Sequence, residues 1–179
     1  MKPDLLVGEA IIEDLLDWLG LDTFHPDLEN TPKRIAKMYL ELFKGLYEKG
    51  PGITVFENNE RYQDMIIIKD IPFKSMCSHH FMPFFGKVHF GYIPCSFYIG
   101  LSKVARVVNY FSNRPQVQER LTTQIADYLD EELEAQGLIV IVEANHTCMT
   151  LRGVKAGGSL TTTSAIRGDI DKEEFIKLL

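Results

Sequence analysis

Cys77 and His80 stand three apart in Ser75-Met76-Cys77-Ser78-His79-His80. At that spacing two side chains of a tight turn can grip one metal ion. Thiolate and imidazole are ligands that zinc accepts readily. His146-Thr147-Cys148 repeats the same chemistry far downstream. A structural zinc is normally closed by four protein ligands, whereas three leave a position for water, the pattern of a catalytic site. Cys77, His80 and Cys148 are therefore read as three ligands of one Zn2+. A lone Cys-x-x-His pair is equally compatible with unrelated core residues, and the long separation of Cys148 leaves that alternative open.

Two thiolates neutralise most of the charge of a zinc ion. Water on such an ion is less acidic than in an all-histidine site, where its pKa is about 7. Proton carriers are then needed close by. His79 and His146 each adjoin a ligand in sequence, and histidine both gives and takes a proton near neutrality.

The formal net charge is −6, which disfavours non-specific binding to nucleic acid. A polyanion would have to bind at a local basic cluster. Arg34, Lys37, Lys103, Arg106 and Arg152 fall in segments that could converge, and a triphosphate carries about four negative charges for them to hold. Glu119 is the carboxylate of interest. It could accept two parallel hydrogen bonds from the ring N–H and amino group of guanine, a pair that adenine does not offer. Taken alone, Arg34 and Lys37 read as a solvated helix face and Glu119 as a surface helix residue.

The elements that must position these groups follow from periodicity. Ile12, Leu15, Leu16 and Leu19 mark an amphipathic helix that Gly20 stops, with Trp18 as a packing residue. Thr31-Pro32 reads as an N-cap and first helical residue, followed by a stripe from Ile35 to Leu46. Residues 51–59 read as a loop with a short extended piece, and Met65-Ile66-Ile67-Ile68 as a strand. Phe84 to Ile93 alternates like a half-buried strand, which puts His89 on its polar face. Cys95 follows Pro94 in a turn as an ordinary free thiol. Ser102 can cap a helix bearing Val104, Val107, Val108 and Phe111. Pro115 breaks that run. A second helix carries Val117 to Leu133, and Gly137 ends it. Leu138 to Val142 reads as a strand buried on both faces that leads directly to His146. A Thr-rich strand over 160–165 and a short helix over 174–178 complete the chain.

With 179 residues, 45% hydrophobic and 25% charged, the composition is that of a globular domain with a sizeable core. The expected division is an N-terminal helical segment, 1–50, and a catalytic domain, 51–179. Three cysteines make a disulfide framework improbable and favour metal or catalytic use in a reducing compartment. Acidic residues Asp4, Glu9, Glu13 and Asp14 do not suit a signal peptide, and no apolar run approaches the ~20 residues of a membrane span. A soluble cytoplasmic protein is expected.

Four motifs together resemble the GTP cyclohydrolase I family, over about 31–168: Cys77-Ser78-His79-His80, Gly100-Leu101-Ser102-Lys103-Val104-Ala105-Arg106, Arg114-Pro115-Gln116-Val117-Gln118-Glu119-Arg120 and His146-Thr147-Cys148-Met149. The resemblance implies zinc-dependent conversion of GTP to 7,8-dihydroneopterin triphosphate and formate, the first step of pterin and folate biosynthesis. By it, Cys77, His80 and Cys148 match the zinc ligands. His146 matches the residue that protonates the ring nitrogen beside carbon 8, His79 one that assists proton transfer, and Ser102 one near the ribose. Gln118 and Glu119 match the guanine-binding pair. Arg34, Lys37, Lys103, Arg106 and Arg152 match the triphosphate-binding residues. Ser78 stands where the family usually has Glu; it is not a ligand, so zinc binding should survive.

The implied fold is α+β, the tunnelling fold: an antiparallel sheet with two helices inserted between strand pairs. Exposed strand edges would pair with neighbouring subunits. Five subunits would close a ring and two rings would stack as a homodecamer, with active sites at subunit interfaces and neither nucleic acid nor membrane as a partner. Two other readings remain: a zinc-independent pterin or deazapurine enzyme with a cysteine nucleophile, and a non-enzymatic nucleotide-binding scaffold with a structural zinc.

Overall fold

Asp4 starts the first helix. Its carboxylate accepts from the backbone N–H groups of Leu6 at 2.7 Å and Val7 at 3.4 Å, satisfying donors that an N-terminus leaves free. In the computed structural model, which describes all 179 residues, this helix is α1 (Leu5–Trp18). It buries Ile12 and Leu16. Trp18, expected to pack, is 79% exposed. Gly20, at φ +76, takes the left-handed conformation that ends the run. α2 (Thr31–Leu42) has Pro32 in its first turn. Its N-cap is Asn30 and not Thr31: the Thr31 N–H already bonds Leu28 O, so the backbone has turned one residue earlier. A short 3-10 turn, Lys44–Leu46, follows. These helices belong to one unit, Met1–Glu48; the second unit is Lys49–Leu179.

The second unit opens with β1 (Val55–Glu57), then β2 (Ile66–Cys77), β3 (Pro83–Ile93) and β4 (Phe97–Ile99). Two helices follow, α3 (Leu101–Ser112) and α4 (Gln118–Leu133), separated by the two-residue β5 (Pro115–Gln116). The chain ends with β6 (Gly137–His146), the single turn α5 (Thr147–Thr150), β7 (Thr161–Gly168) and α6 (Lys172–Leu178). The main sheet has the order β5-β2-β3-β6-β7, antiparallel except for the β2–β5 pair. β1 and β4 form a separate antiparallel pair. Strand, strand, helix, helix, strand, strand is the α+β order expected of the tunnelling fold.

One face of the sheet packs under α3 and α4. Val104, Val107, Val108, Leu121, Ile125 and Leu129 close over Val88, Phe90, Leu138, Val140 and Val142, all fully buried. The other face is covered at its middle by α6, whose Phe175 packs on Ile139 and Ile141. Gly91 makes the seat: a Cβ there would lie 2.5 Å from the Phe175 ring. Asp171 caps this helix through the N–H groups of Glu173 and Glu174. Side chains alternate along a strand, so covering both faces buries β6 throughout its first six residues.

The reading of His89 as a polar-face residue is corrected too. Val88 through Tyr92 are all buried, and His89 is only 7% exposed. Its Nδ1 accepts the Asp70 N–H at 3.3 Å and its Nε2 lies 3.6 Å from Glu143 Oε2. Asp70, at φ +59, sits where the β2–β3 register shifts between Ile68 and Ile71. Three further expectations are corrected. β2 does not stop before Pro72 but runs on to Cys77; Pro72 pairs with β3 alone, because β5 joins the other side only at Met76, and a residue without an N–H is tolerated at such an open side. Gly100 and not Ser102 is the N-cap of α3, and Ser102 stands in its first turn. Glu134, in the left-handed conformation, ends α4, while Gly137 is required by close approach, since a Cβ there would meet Asp169 O at 2.3 Å.

Candidate metal centre

Register brings the distant motifs to one end of the sheet. β2 ends at Cys77, and Met76 pairs with Pro83 across the turn that carries Ser78, His79 and His80. Phe84 pairs with His146, at the end of β6. Thr147 Oγ1 donates to Pro83 O at 2.5 Å and ties the following turn to β3. On the other side, Met76 and Cys77 pair in parallel with Pro115 and Gln116. That contact delivers Gln118 and Glu119, the first residues of α4, to the same end.

The turn itself is held by backbone bonds. Cys77 N–H donates to Met82 O and Phe81 N–H to Cys77 O, both at 2.8 Å; Ser78 N–H donates to Gln116 O at 2.9 Å. Phe81 adopts φ +52, a left-handed conformation that costs a non-glycine residue on the order of 1 kcal/mol. The ligand-bearing turn thus carries local strain that the surrounding bonds hold in place.

Cys77, His80 and Cys148 offer one ligand atom each, all within 4.8 Å of one another. Cys77 Sγ lies 3.9 Å from His80 Nδ1. Donors bound to one zinc at about 2.0–2.3 Å stand roughly 3.5–4 Å apart, so this set is nearly in place. Cys77 is buried, Cys148 half-buried and His80 exposed, so the group is reached from solvent through the histidine. Burial, with Cys77 hydrogen-bonded beside it, pushes the Cys148 thiol up, and the nearby Arg152 opposes that. A divalent cation among the three would reverse the preference and hold the sulfurs as thiolates. Two sulfurs and one imidazole nitrogen suit zinc better than a hard cation.

The two other histidines flank the group. His79 is exposed and its Nδ1 lies 3.9 Å from Cys77 Sγ. His146 is half-buried, stacked on Phe84 with ring centroids 4.6 Å apart and planes 5° from parallel. Burial lowers its pKa, and Glu119 pulls the other way. Glu119 is exposed in the first turn of α4 and is thus near enough to act on the His146 ring. Gln118 behaves differently: it is 2% exposed and its amide bonds to His146 and to the strands.

Arg152 is exposed just beyond α5. Ser102 and Arg106 are exposed on α3, with Lys103 half-buried between them. Arg34 and Lys37 lie exposed on α2, in the other unit. The structure thus brings together the three expected ligands Cys77, His80 and Cys148 with His79, His146, Gln118 and Glu119, and with Arg152 near Cys148. Sequence reasoning missed the Phe84 stack and the Gln118–His146 bond. Both join residues distant in the chain: strand register pairs Phe84 with His146, and the packing of the start of α4 against the sheet brings Gln118 to the same ring.

The family profile described as GTP cyclohydrolase I matches residues 8–178. A GTP cyclohydrolase 1 of Halalkalibacterium halodurans is 52% identical over 165 residues, covering 90% of this chain and 86% of the relative. The protein of that name from Hydrogenobaculum sp. is 46% identical over 179 residues, with 96% and 97% covered. That of Streptococcus mutans is 49% identical over 178 residues, with 97% and 91% covered. Among solved structures, an archaeosine synthase QueF-Like in the apo form matches 60% of this chain and 96% of its own at 16% identity, with a TM-score of 0.48.

Proposed function

This chain belongs to the GTP cyclohydrolase I family, a family of hydrolases, and we propose that it converts GTP to 7,8-dihydroneopterin triphosphate and formate with zinc as its metal. The observation that carries the zinc reading is the gathering of Cys77, His80 and Cys148 from two distant segments to within 4.8 Å. Zinc held there supplies Lewis acidity and makes water a competent nucleophile near neutral pH.

The chain's own residues do the rest. Glu119 accepts the ring N–H and amino group of guanine and sets the purine against the metal. His146 passes a proton to the ring nitrogen beside carbon 8 as water adds to that carbon. Its lowered pKa makes the protonated ring a ready donor. His79 carries protons as the ring opens and a second water releases formate. Ser102 serves the ribose rearrangement. A water is lost when the pterin ring closes, so one water is consumed net. Arg34, Lys37, Lys103, Arg106 and Arg152 hold the triphosphate.

A homodecamer of two five-membered rings is the assembly that suits this reading, with sites completed across subunit interfaces. Its support is the outer edge of β7, eight residues long and unpaired within the chain; such an edge is a template for another strand. No helix is long and apolar enough to cross a membrane. Dependence on two metal-binding thiols favours a reducing, cytoplasmic setting, and the pterin product feeds pterin or folate synthesis. The test is direct. Protein of known zinc content, given GTP, should yield formate and, after oxidation, neopterin fluorescence, while ATP yields neither. Formate without neopterin would limit the activity to ring opening.

A further inference from the structure

Gln118 heads α4 at the end of the sheet that holds the metal centre, yet its side chain is turned inward. Its Nε2 donates to Val142 O and Thr161 O, both at 2.9 Å, and lies 3.2 Å from Thr163 Oγ1. An amide nitrogen has two hydrogens. Three acceptors therefore use both and leave none for a ligand. They also settle which way the amide points: nitrogen toward β6 and β7, oxygen toward His146.

The Gln118 Oε1 lies 2.7 Å from His146 Nε2. An amide oxygen carries no hydrogen, so the imidazole nitrogen is the donor. Nδ1 is then the ring nitrogen left to exchange a proton with a bound molecule. The anchor is itself braced. Thr122 Oγ1 donates to Gln118 O at 2.8 Å, and Thr163 Oγ1 stands 2.6 Å from Thr122 Oγ1. Phe84, fully buried, stacks on the imidazole plane. The stack fixes the plane of the ring and the Gln118 bond fixes its rotation within that plane.

We propose that Gln118 is a positioning residue for His146 and not a contact to guanine. It holds the ring through Nε2–H and presents Nδ1 to the substrate. This rests on the GTP ring-opening reaction proposed above. In that step the proton on Nδ1 moves to the purine nitrogen, the attacking water gives its oxygen to carbon 8, and its released proton replaces the one lost from Nδ1. Throughout, Nε2–H stays on Gln118.

Two measurements on the zinc-loaded protein test the assignment. In steady-state kinetics with Gln118→Ala, kcat should fall by about a hundredfold, in the range seen when a proton carrier is impaired. KM for GTP and the preference for GTP over ATP should change by no more than about twofold. Adding Gln118→Ala to His146→Ala should cost nothing further, because one residue acts through the other. A raised KM, a lost guanine preference or fully multiplicative losses would overturn the proposal.

The second measurement needs no change at Gln118, so a folding failure there does not stop it. Nitrogen-15 spectra of histidine-labelled protein, with His146 assigned by its loss in His146→Ala, should show the hydrogen on Nε2. A hydrogen on Nδ1 with Nε2 bare would overturn the proposal. If the unaltered protein failed to turn over GTP, the proposed function would fall, but these spectra, taken without substrate, would still decide the Gln118–His146 contact.

Discussion

Phe84 and His146 face each other across β3 and β6, paired in register and stacked 4.6 Å apart. Phe84 is fully buried, and Phe73 also meets its ring, edge-on at 5.8 Å. The histidine proposed to protonate the purine therefore rests on the hydrophobic core, and the packing of that core reaches its ring directly.

Phe84→Leu keeps most of the buried volume but removes the flat partner of the imidazole. Its expected effect on stability is about 1 kcal/mol. Turnover should fall at least tenfold with zinc content unchanged. Thermal unfolding, metal analysis and kcat, measured on one preparation, check all three.

Phe175→Ala supplies the contrast. Phe175 is fully buried on the opposite face of the sheet, against Ile139 and Ile141. Emptying the seat over Gly91 should destabilise the fold by about 3–5 kcal/mol. The protein that remains folded should bind zinc and turn over GTP normally, as denaturation curves and kcat per folded chain would show.

These contrasts mark what was legible in the chain. The Cys77–His80 spacing and the Cys148 fragment were readable because ligand chemistry restricts residue type and local geometry. The strand over 138–142 was readable from its unbroken β-branched run. The burial of His89 was not: its ring meets the Asp70 N–H and Glu143 across paired strands, and alternation reports only one buried face. The length of β2 was hidden by Pro72, which looks like an interruption unless the edge position is known. Gln118 gave no sign of its partner, since His146 lies 28 residues away and only the packing of α4 on the sheet joins them.

Glu119→Gln tests the reading of guanine. The substitution keeps the shape but turns one acceptor into a donor and removes the charge. Loss of a charge-assisted pair costs about 1.5–3 kcal/mol, so the ratio of kcat/KM for GTP over ATP should drop by roughly tenfold or more. Competition of the two nucleotides in one reaction measures it. An unchanged ratio would remove Glu119 from recognition.

Cys148→Ala removes one of two sulfurs at the metal centre. Zinc content after gel filtration should fall close to zero, and activity should go with it. The core should survive, because Cys148 is only partly buried and packs at the margin of the main cluster. Retained zinc would mean that Cys77 and His80 find their further ligands elsewhere.

The most direct measurement follows both products as zinc is removed and restored. Protein stripped with a chelator should release neither formate nor dihydroneopterin triphosphate from GTP. Zinc added back should restore both in proportion, reaching full rate at one ion per chain. Full activity in the stripped protein, or zinc at stoichiometry with an intact fold and no product, would contradict the account.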